Sequence, residues 1–282
     1  MNFIEAIVLG IIQGLTEFLP ISSTGHLTLA GKLMNLISDK NPEHWTSFIA
    51  VIQLGTMLAI FIYFWKDLWS IFIEFIQNNI LKRVKYSEQT TNSKTGWLII
   101  LGSIPIVIIG LLFKDIIEGT LTKNLYVISG SLIVLAIILA VAEKTAKFKK
   151  DIKDITIFDS VMIGIAQAFA LIPGSSRSGT TITGGLFVGL KRDVAARFSF
   201  LLSVPAVLAS GILQLYESLK YIDYDLTINL IIATFFAAVS GYIAIDFLLK
   251  FLKKNTTFVF VYYRIILGVA ILILLYSNVI NP

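Results

Sequence analysis

Long apolar segments are the feature that most constrains how this chain folds. Six of them, at roughly 46–65, 96–113, 125–142, 198–216, 227–249 and 258–276, approach the length of a helix that crosses a hydrocarbon core. About a quarter of a soluble domain is charged, whereas 15% of these 282 residues are charged and 56% are hydrophobic. The sequence therefore predicts an all-α polytopic membrane protein with six full transmembrane helices.

Two further apolar stretches, 3–37 and 157–190, are each interrupted by a polar break, LPISSTGH in the first and IPGSSRSGTT in the second. Each break leaves two arms of about 12–17 residues, which extend only about 18–25 Å as helices. A hydrocarbon core is about 30 Å thick. We therefore expect two re-entrant helix-loop-helix elements, which dip into the membrane and return.

The segments around the two breaks resemble each other. GIIQGLTEFLPISS from Gly10 and GIAQAFALIPGSS from Gly164 share Gly, Gln, Pro and Ser-Ser in order, with a one-residue gap between Gln and Pro. This pattern predicts one membrane domain with internal repeats at 1–150 and 155–282; chance similarity between two apolar segments is the alternative. An odd number of crossings per half would make the halves inverted-topology repeats.

The distribution of basic residues predicts the orientation in the membrane. One predicted side carries Lys66, Lys82, Arg83, Lys85, Lys94, Lys144, Lys147, Lys149, Lys150, Lys153, Lys191, Arg192, Arg197, Lys250, Lys253 and Lys254. The other side carries only Lys32, Lys40, Lys114, Lys123 and Lys220. Cytoplasmic loops are enriched in Lys and Arg, so we expect the first side to be cytoplasmic and both termini to face outward. The net charge of +5 then requires no nucleic-acid partner.

The first break is preceded by a carboxylate inside an apolar segment. Gln13 and Glu17 are four residues apart, so on a helix they share a face and could form a simple side-chain pair. A carboxylate at membrane depth costs about 2.5–3.5 kcal/mol, which exceeds what such a pair returns. We therefore favour a functional or tightly paired Glu17. Pro20 is expected to end this helix, because proline disfavours helical geometry in the residue before it.

Ser22, Ser23, Thr24, Gly25 and His26 follow Pro20. An N-cap for the next arm would explain one of these hydroxyls, but not all three together with an imidazole. Free N–H groups at a helix N-terminus bind anions, and a histidine there can act as a nucleophile or carry a proton. A site for an anionic substrate is therefore the favoured interpretation.

The second break contributes Arg177, whose planar guanidinium suits bidentate recognition of phosphate. Gly174 and Gly179 would let the backbone approach an anion closely. An Arg177 to Glu17 salt bridge that ties the repeats together is the competing interpretation, and it is compatible with function. Hydroxyls surround the arginine, on Ser175, Ser176, Ser178, Thr180 and Thr181.

Other polar residues carry less weight. Arg264 and Asp246 lie near predicted span ends, so we expect their side chains to snorkel to the cytoplasmic interface. His44 is expected to lie on the surface.

The two motifs, QGLTEFLPISSTGH and PGSSRSGTT, resemble the signature regions of the undecaprenyl-diphosphatases of the bacitracin-resistance type. These signatures have the forms Glu/Gln-x-x-x-Glu and Pro-Gly-x-Ser-Arg-Ser-x-x-Thr, and here the first position is the amide Gln13. The resemblance covers essentially the whole chain, including VIQLGTMLAIF and FSFLLSVPA.

The resemblance implies a hydrolase of the bacterial cytoplasmic membrane that cleaves undecaprenyl diphosphate to undecaprenyl phosphate and phosphate. This reaction recycles the lipid carrier for peptidoglycan, supports cell shape and confers bacitracin resistance. The active site is expected at the outer face. A divalent cation, Mg²⁺ or Ca²⁺, is implied as cofactor, with Glu17 and Gln13 as candidate ligands.

For the site we expect Glu17, Ser23, His26 and Arg177 to be catalytic, and His26 is the preferred nucleophile over Ser23. The phosphate-binding set is expected to comprise Arg177, Ser175, Ser176, Ser178, Thr181, Ser22, Thr24 and Gly174. The main alternative is a flippase for an anionic isoprenyl lipid, because inverted repeats with midplane polar groups are transporter features. An acid-phosphatase-like lipid phosphatase is disfavoured, because His44 has no acidic partner. The sequence leaves a homodimer open.

Overall fold

The computed structural model describes residues 1–37, 42–113, 124–218 and 224–280, and these ranges contain eleven α-helices and no β-strand. The first six helices are α1 (Phe3–Phe18), α2 (Ser23–Leu33), α3 (Pro42–Tyr63), α4 (Trp65–Ile76), α5 (Thr91–Leu112) and α6 (Leu125–Thr145). The other five are α7 (Ile157–Ala168), α8 (Arg177–Phe187), α9 (Arg192–Ser218), α10 (Tyr224–Leu252) and α11 (Phe258–Tyr276). A π-helical turn at Gln77–Leu81 extends α4, and one isolated bridge pairs Lys150 with Leu190.

Five helices, α5, α6, α9, α10 and α11, are long and apolar enough to cross a membrane. They confirm five of the six predicted spans. The predicted span at 46–65 covers most of α3 and runs past its end at Tyr63; after one residue α4 follows, at a bend of 77°. Large apolar side chains, among them Leu111, Leu112 and Ile266, are exposed on the outer faces of these helices, as expected for contact with lipid. The chain is a multi-pass membrane protein.

Two pairs of short helices, α1 with α2 and α7 with α8, correspond to the two interrupted stretches. The four helices have 16, 11, 12 and 11 residues, each fewer than the about 20 needed to span. Leu19 is extended before Pro20, which confirms that the proline ends α1. After α7 a 3₁₀ turn, Phe169–Leu171, leads to an extended Ile172 before Pro173.

The two pairs also begin alike. α1 starts with a capping box between Asn2 and Glu5, and α7 with one between Thr156 and Asp159. In each box the cap side chain accepts from a backbone N–H and the acid accepts from the backbone of the cap, so two unpaired donors are satisfied.

The long helices surround the short pairs. α1 packs on α10, α7 packs on α5, α3 packs on α9 and α10, and α6 packs on α11. Gly10 of α1 lies against the backbone of Ala233, and Gly164 of α7 lies against the backbone of Gly102, with no room for a Cβ at either glycine. This close packing places both polar breaks inside the helical bundle. Lys40, Lys114, Lys123, Lys220 and the side chain of His44 lie outside the described residues.

Candidate active site

The carboxylate of Glu17 is the centre of a hydrogen-bonded cluster. Oε1 accepts from Arg177 Nη2 at 2.8 Å and from Gln53 Nε2 at 2.9 Å. Oε2 accepts from Ser23 Oγ at 2.6 Å and from Gln13 Nε2 at 3.2 Å. Only 4% of the Glu17 side chain is exposed, so these donors replace water around the buried charge. Glu17 is thus tightly paired, one of the two alternatives expected from the sequence, and the other, a functional role, stays a prediction.

Arg177 joins the second break to the first. Its ion pair with Glu17 is the one considered from sequence, and a second link runs from Ser178 Oγ to the carbonyl oxygen of Leu19 at 3.1 Å. The ion pair uses only Nη2. Nε and Nη1 of Arg177 are buried and have no partner, so two strong donors remain for another group.

The helices that follow the breaks, α2 and α8, have the same unusual start. The N-cap residues Ser22 and Ser176 have φ of 75° and 67°, a region that non-glycine residues rarely occupy. Each Oγ accepts from the N–H three residues on, Gly25 or Gly179, at 3.2 Å. Backbone strain of this kind costs about 1–3 kcal/mol and clusters at functional sites.

His26 lies one turn into α2 and both of its ring nitrogens are engaged. Nδ1 is 2.7 Å from the carbonyl oxygen of Ser22, and Nε2 is 2.7 Å from the hydroxyl of Tyr263 in α11. A carbonyl oxygen can only accept, so Nδ1 carries the proton and the Nε2 lone pair accepts from Tyr263. Ser23 and His26 are three residues apart on one helix and therefore share a face.

Arg264 of α11 corrects the sequence expectation. Instead of snorkelling to the interface, Arg264 is fully buried, at 0% exposure, and Nη2 donates to the carbonyl oxygen of Ser175 at 2.9 Å. Its Nη1 lies against Gly179, where a Cβ would be 2.7 Å away. Nε and Nη1 have no partner. The side chain points into the bundle because the backbone of the second break lies beside α11 at this position and accepts its hydrogen bond. Asp246, by contrast, pairs with Lys250 at 2.7 Å on an exposed face, in keeping with its predicted interfacial position.

The charges around the breaks do not balance. Arg177 and Arg264 contribute two positive charges near the N-terminus of α8, and this end of the helix dipole is also positive. Among the described residues, Glu17 is the carboxylate that forms an ion pair with this group. A net positive, largely buried site with four unpaired guanidinium nitrogens binds an anion more favourably than it binds a neutral group.

The remaining predicted residues take different positions. Ser175 donates to the carbonyl oxygen of Ile172 at 2.5 Å, and Ser176 Oγ lies 3.2 Å from Ser178 Oγ. Thr181 is fully buried, and its hydroxyl contacts the Arg177 carbonyl oxygen and Ser199 of α9. Gly174 has φ of +85°, and a Cβ there would meet Ile128 and Ser131 of α6. Thr180 donates to the Arg177 carbonyl oxygen at 3.0 Å, and Thr24 is half-buried in the first turn of α2.

The arrangement does not form a preformed cation site. Within the described ranges no three His, Cys, Asp or Glu side chains come together. Both oxygens of Glu17 already accept from N–H or O–H groups. Oε1 of Gln13 is buried and has no partner in the part of the chain that the structure describes, so it is an available acceptor beside Glu17.

Sequence reasoning missed Gln53 and Tyr263 and misplaced Arg264. Gln53 had a usable signal, because a lone amide in the middle of an apolar segment is costly and marks a polar contact. Tyr263 had none, because a tyrosine near a span end is ordinarily an interfacial anchor.

Fold and site together define a polytopic membrane protein in which two pairs of short helices enclose a buried cationic site. The chain belongs to the family described as bacitracin resistance protein BacA, whose model matches residues 6–270. It is 55% identical over 278 residues to an undecaprenyl-diphosphatase of Syntrophobacter fumaroxidans, covering 99% of each chain. It is 50% identical over 284 residues to one of Chlorobium limicola, covering 98% of this chain and 97% of that protein. It is 48% identical over 291 residues to a third undecaprenyl-diphosphatase, from Chlorobium phaeovibrioides, and this match covers the full length of both proteins.

Proposed function

We propose that this chain hydrolyses undecaprenyl diphosphate to undecaprenyl phosphate and phosphate, and so recycles the lipid carrier used for cell-wall synthesis. The observation that carries the proposal is the Ser23 to Glu17 hydrogen bond of 2.6 Å beside the unpaired nitrogens of Arg177. A hydroxyl paired with a base next to an unsatisfied guanidinium is a phosphoryl-transfer arrangement. The relatives described above carry the name of this activity.

The site offers donors for a diphosphate. Nε and Nη1 of Arg177 can contact phosphate oxygens without breaking the ion pair to Glu17, because that pair uses Nη2. The N-termini of α2 and α8 add N–H groups and positive dipole ends. Arg264 adds a further positive charge next to the start of α8, where it donates to the carbonyl oxygen of Ser175. Charge that develops on the transferred phosphoryl group is thereby stabilised.

The geometry favours Ser23 over His26 as the nucleophile, which reverses the order expected from sequence. Ser23 Oγ already donates to Glu17, whereas the Nε2 lone pair of His26 is occupied by Tyr263. In the first step Glu17 takes the Ser23 proton, Oγ attacks the terminal phosphorus, and the bond to the bridging oxygen breaks. Undecaprenyl phosphate leaves with that oxygen, and Ser23 becomes a phosphoester.

In the second step water must hydrolyse the phosphoester. His26 shares a helix face with Ser23, and its Nε2 is the unprotonated nitrogen. We assign His26 as the base that takes a proton from the attacking water. Phosphate is released, Ser23 recovers its proton from Glu17, and His26 returns its proton to solvent.

We also propose that the chain consists of two inverted repeats with re-entrant short helices. Equivalent features are separated by a constant 154 residues: Asn2 and Thr156, Gly10 and Gly164, Gln13 and Gln167, and the N-caps Ser22 and Ser176. The packing of α1 on α10 and of α7 on α5 is the arrangement that a twofold relation between the halves requires. In this alignment Ser23 and Arg177 occupy equivalent positions, and the prolines are offset by one.

The orientation follows from charge. We propose that the protein lies in the bacterial cytoplasmic membrane with both termini outward and the site opening to the outer face. Arg192, Lys150 and Lys191 support this, because they cluster at one end of the bundle, in ion pairs with Glu143, Asp159 and Asp151. Such a concentration of basic residues is typical of the cytoplasmic side.

A divalent cation is proposed to enter with the substrate rather than to be held by the protein. Diphosphate oxygens and water are the ligands that Mg²⁺ prefers, and Gln13 Oε1 is an unpaired protein oxygen beside Glu17. No step above passes through the metal. We also propose that two copies of the chain can pair through exposed apolar helix faces. The mass of the protein in detergent measures this assembly state.

Phosphate release by protein purified in detergent tests the proposed function. An enzyme releases phosphate from undecaprenyl diphosphate without a sealed bilayer, whereas a pure flippase releases none. The transport alternative receives no support from the names of the relatives. We expect Glu17→Gln to lower kcat by about 10²–10⁴, the usual contribution of a general base. Full activity of a folded Glu17→Gln protein would contradict the proposal.

A further inference from the structure

Two adjacent residues of α11 contact different halves of the site. Tyr263 reaches His26, after the first break, and Arg264 reaches Ser175, in the second. Successive side chains on a helix point about 100° apart, so α11 lies between the two breaks. Arg264 is fully buried, whereas 43% of Tyr263 is exposed. The tyrosine therefore lies on the exposed side of α11, and the arginine lies on its buried side.

Tyr263 and His26 make two contacts of different kinds. The hydroxyl lies 2.7 Å from Nε2, and the two rings are parallel, with centroids 5.6 Å apart and an angle of 7° between planes. The imidazole is thus held at three points: by Ser22 at Nδ1, by the tyrosine ring, and by the hydroxyl at Nε2. A ring held in this way has one tautomer and one orientation.

We propose that Tyr263 is a positioning residue for His26. Its hydroxyl donates to Nε2, which stabilises the tautomer that is unprotonated at that nitrogen, and it holds the imidazole in one orientation on the face of α2 that also bears Ser23. When water arrives to attack the phosphoester, it takes the place of the hydroxyl at Nε2. The inference rests on the proposed function, because it assigns a role within the second step of that reaction.

The experiment compares Tyr263→Phe with Tyr262→Phe. The neighbouring Tyr262 is a matched control, because its side chain is 63% exposed and it contacts Phe258 rather than the site. With undecaprenyl diphosphate labelled at the terminal phosphate, we expect Tyr263→Phe to lower kcat by about tenfold, because the loss of one hydrogen bond corresponds to a change of about that size. KM should change less than twofold, and the acid-stable phosphoenzyme trapped by rapid quench should rise. Tyr263→Leu also loses the ring contact with His26, so its kcat should fall further than that of Tyr263→Phe.

A double-mutant cycle separates positioning from a general structural effect. In a His26→Gln background, Tyr263→Phe should change kcat by less than twofold, because its effect passes through His26. An equal loss in both backgrounds would overturn the proposal, and so would a normal kcat in the single variant.

Nitrogen NMR supplies a readout that needs no turnover. The chain has two histidines, so the His44→Gln protein labelled with ¹⁵N-histidine reports on His26 alone. The expected spectrum has a protonated Nδ1 and an Nε2 shifted by a hydrogen bond, and the Nε2 shift should move in Tyr263→Phe. An unchanged Nε2 signal overturns the positioning role even if phosphate is released. A changed signal in a protein that releases no phosphate would instead locate the failure in the proposed function.

Discussion

Nη2 of Arg177 lies 2.8 Å from Oε1 of Glu17, and this ion pair joins the two breaks through residues that are 160 positions apart in the chain. The same carboxylate accepts from Ser23 on its other oxygen. Glu17 therefore contacts the guanidinium of the second break and the Ser23 hydroxyl of the first break at once. Because the pair leaves two nitrogens of Arg177 unpaired, it fixes the arginine in place and leaves two of its donors available to another group.

Arg177→Lys should lose most activity while it keeps the charge. A lysine ammonium cannot donate to Glu17 and to two phosphate oxygens in the planar geometry of the guanidinium. We expect kcat to fall by about 10²–10³, the usual cost of one transition-state donor. Arg197→Lys, at the exposed ion pair with Asp67, is the matched control and should stay near wild type. Near-normal turnover in a folded Arg177→Lys protein would refute the assignment.

A trapped phosphoenzyme should identify the nucleophile. With substrate labelled at the terminal phosphate, rapid quench in acid should retain label on Ser23, because a phosphoester survives acid and a phosphohistidine does not. His26→Gln should raise the labelled fraction, because it blocks the second step. Label found on His26 under alkaline quench, or turnover by Ser23→Ala, would restore the nucleophile first expected from the sequence.

Gln13→Glu tests the role of the first motif position. The added carboxylate would lie beside Glu17, where the Gln13 amide now donates at 3.2 Å. A second oxygen ligand favours Mg²⁺ or Ca²⁺, so we expect activity to persist and the metal concentration for half-maximal activity to fall. Titrations after chelation, for wild type and variant side by side, measure this shift. An unchanged titration would indicate that the cation does not approach Gln13.

Arg264→Met should separate function from stability. The arginine is fully buried with two unpaired nitrogens, and replacing a buried charge by an apolar residue of similar size is often neutral or stabilising. We therefore expect the thermal transition in detergent to stay level or rise, while kcat/KM falls about 10- to 100-fold. A lower transition with unchanged kcat/KM in the remaining folded protein would show that Arg264 only braces the second break.

Single cysteines test the orientation, because the natural chain has none. Val279→Cys near the C-terminus should react with a membrane-impermeant maleimide added to intact cells. Lys153→Cys, on the exposed loop between α6 and α7, should react only in inverted vesicles or after permeabilisation. The reverse pattern would place the termini in the cytoplasm and contradict the charge-based orientation.

Much of the secondary structure was predictable, because it follows from local rules. Apolar length predicted α5, α6, α9, α10 and α11, and Pro20 ended α1 where its ring geometry requires. The bend between α3 and α4 was not predictable, because no proline or glycine marks the break at Phe64. Chain composition there is equally compatible with one continuous helix.

The sequence by itself located the polar residues that interrupt apolar segments, and so identified Glu17, Ser23, His26 and Arg177 as candidate site residues. The cost of burying such groups does not depend on where the partners come from. Only the tertiary structure decided the partners themselves, because Gln53, Tyr263 and Arg264 reach the breaks from α3 and α11 across large sequence separations. Helix packing, which no local pattern specifies, turned the side chain of Arg264 inward. The folded chain also placed Ser23, rather than His26, in contact with Glu17.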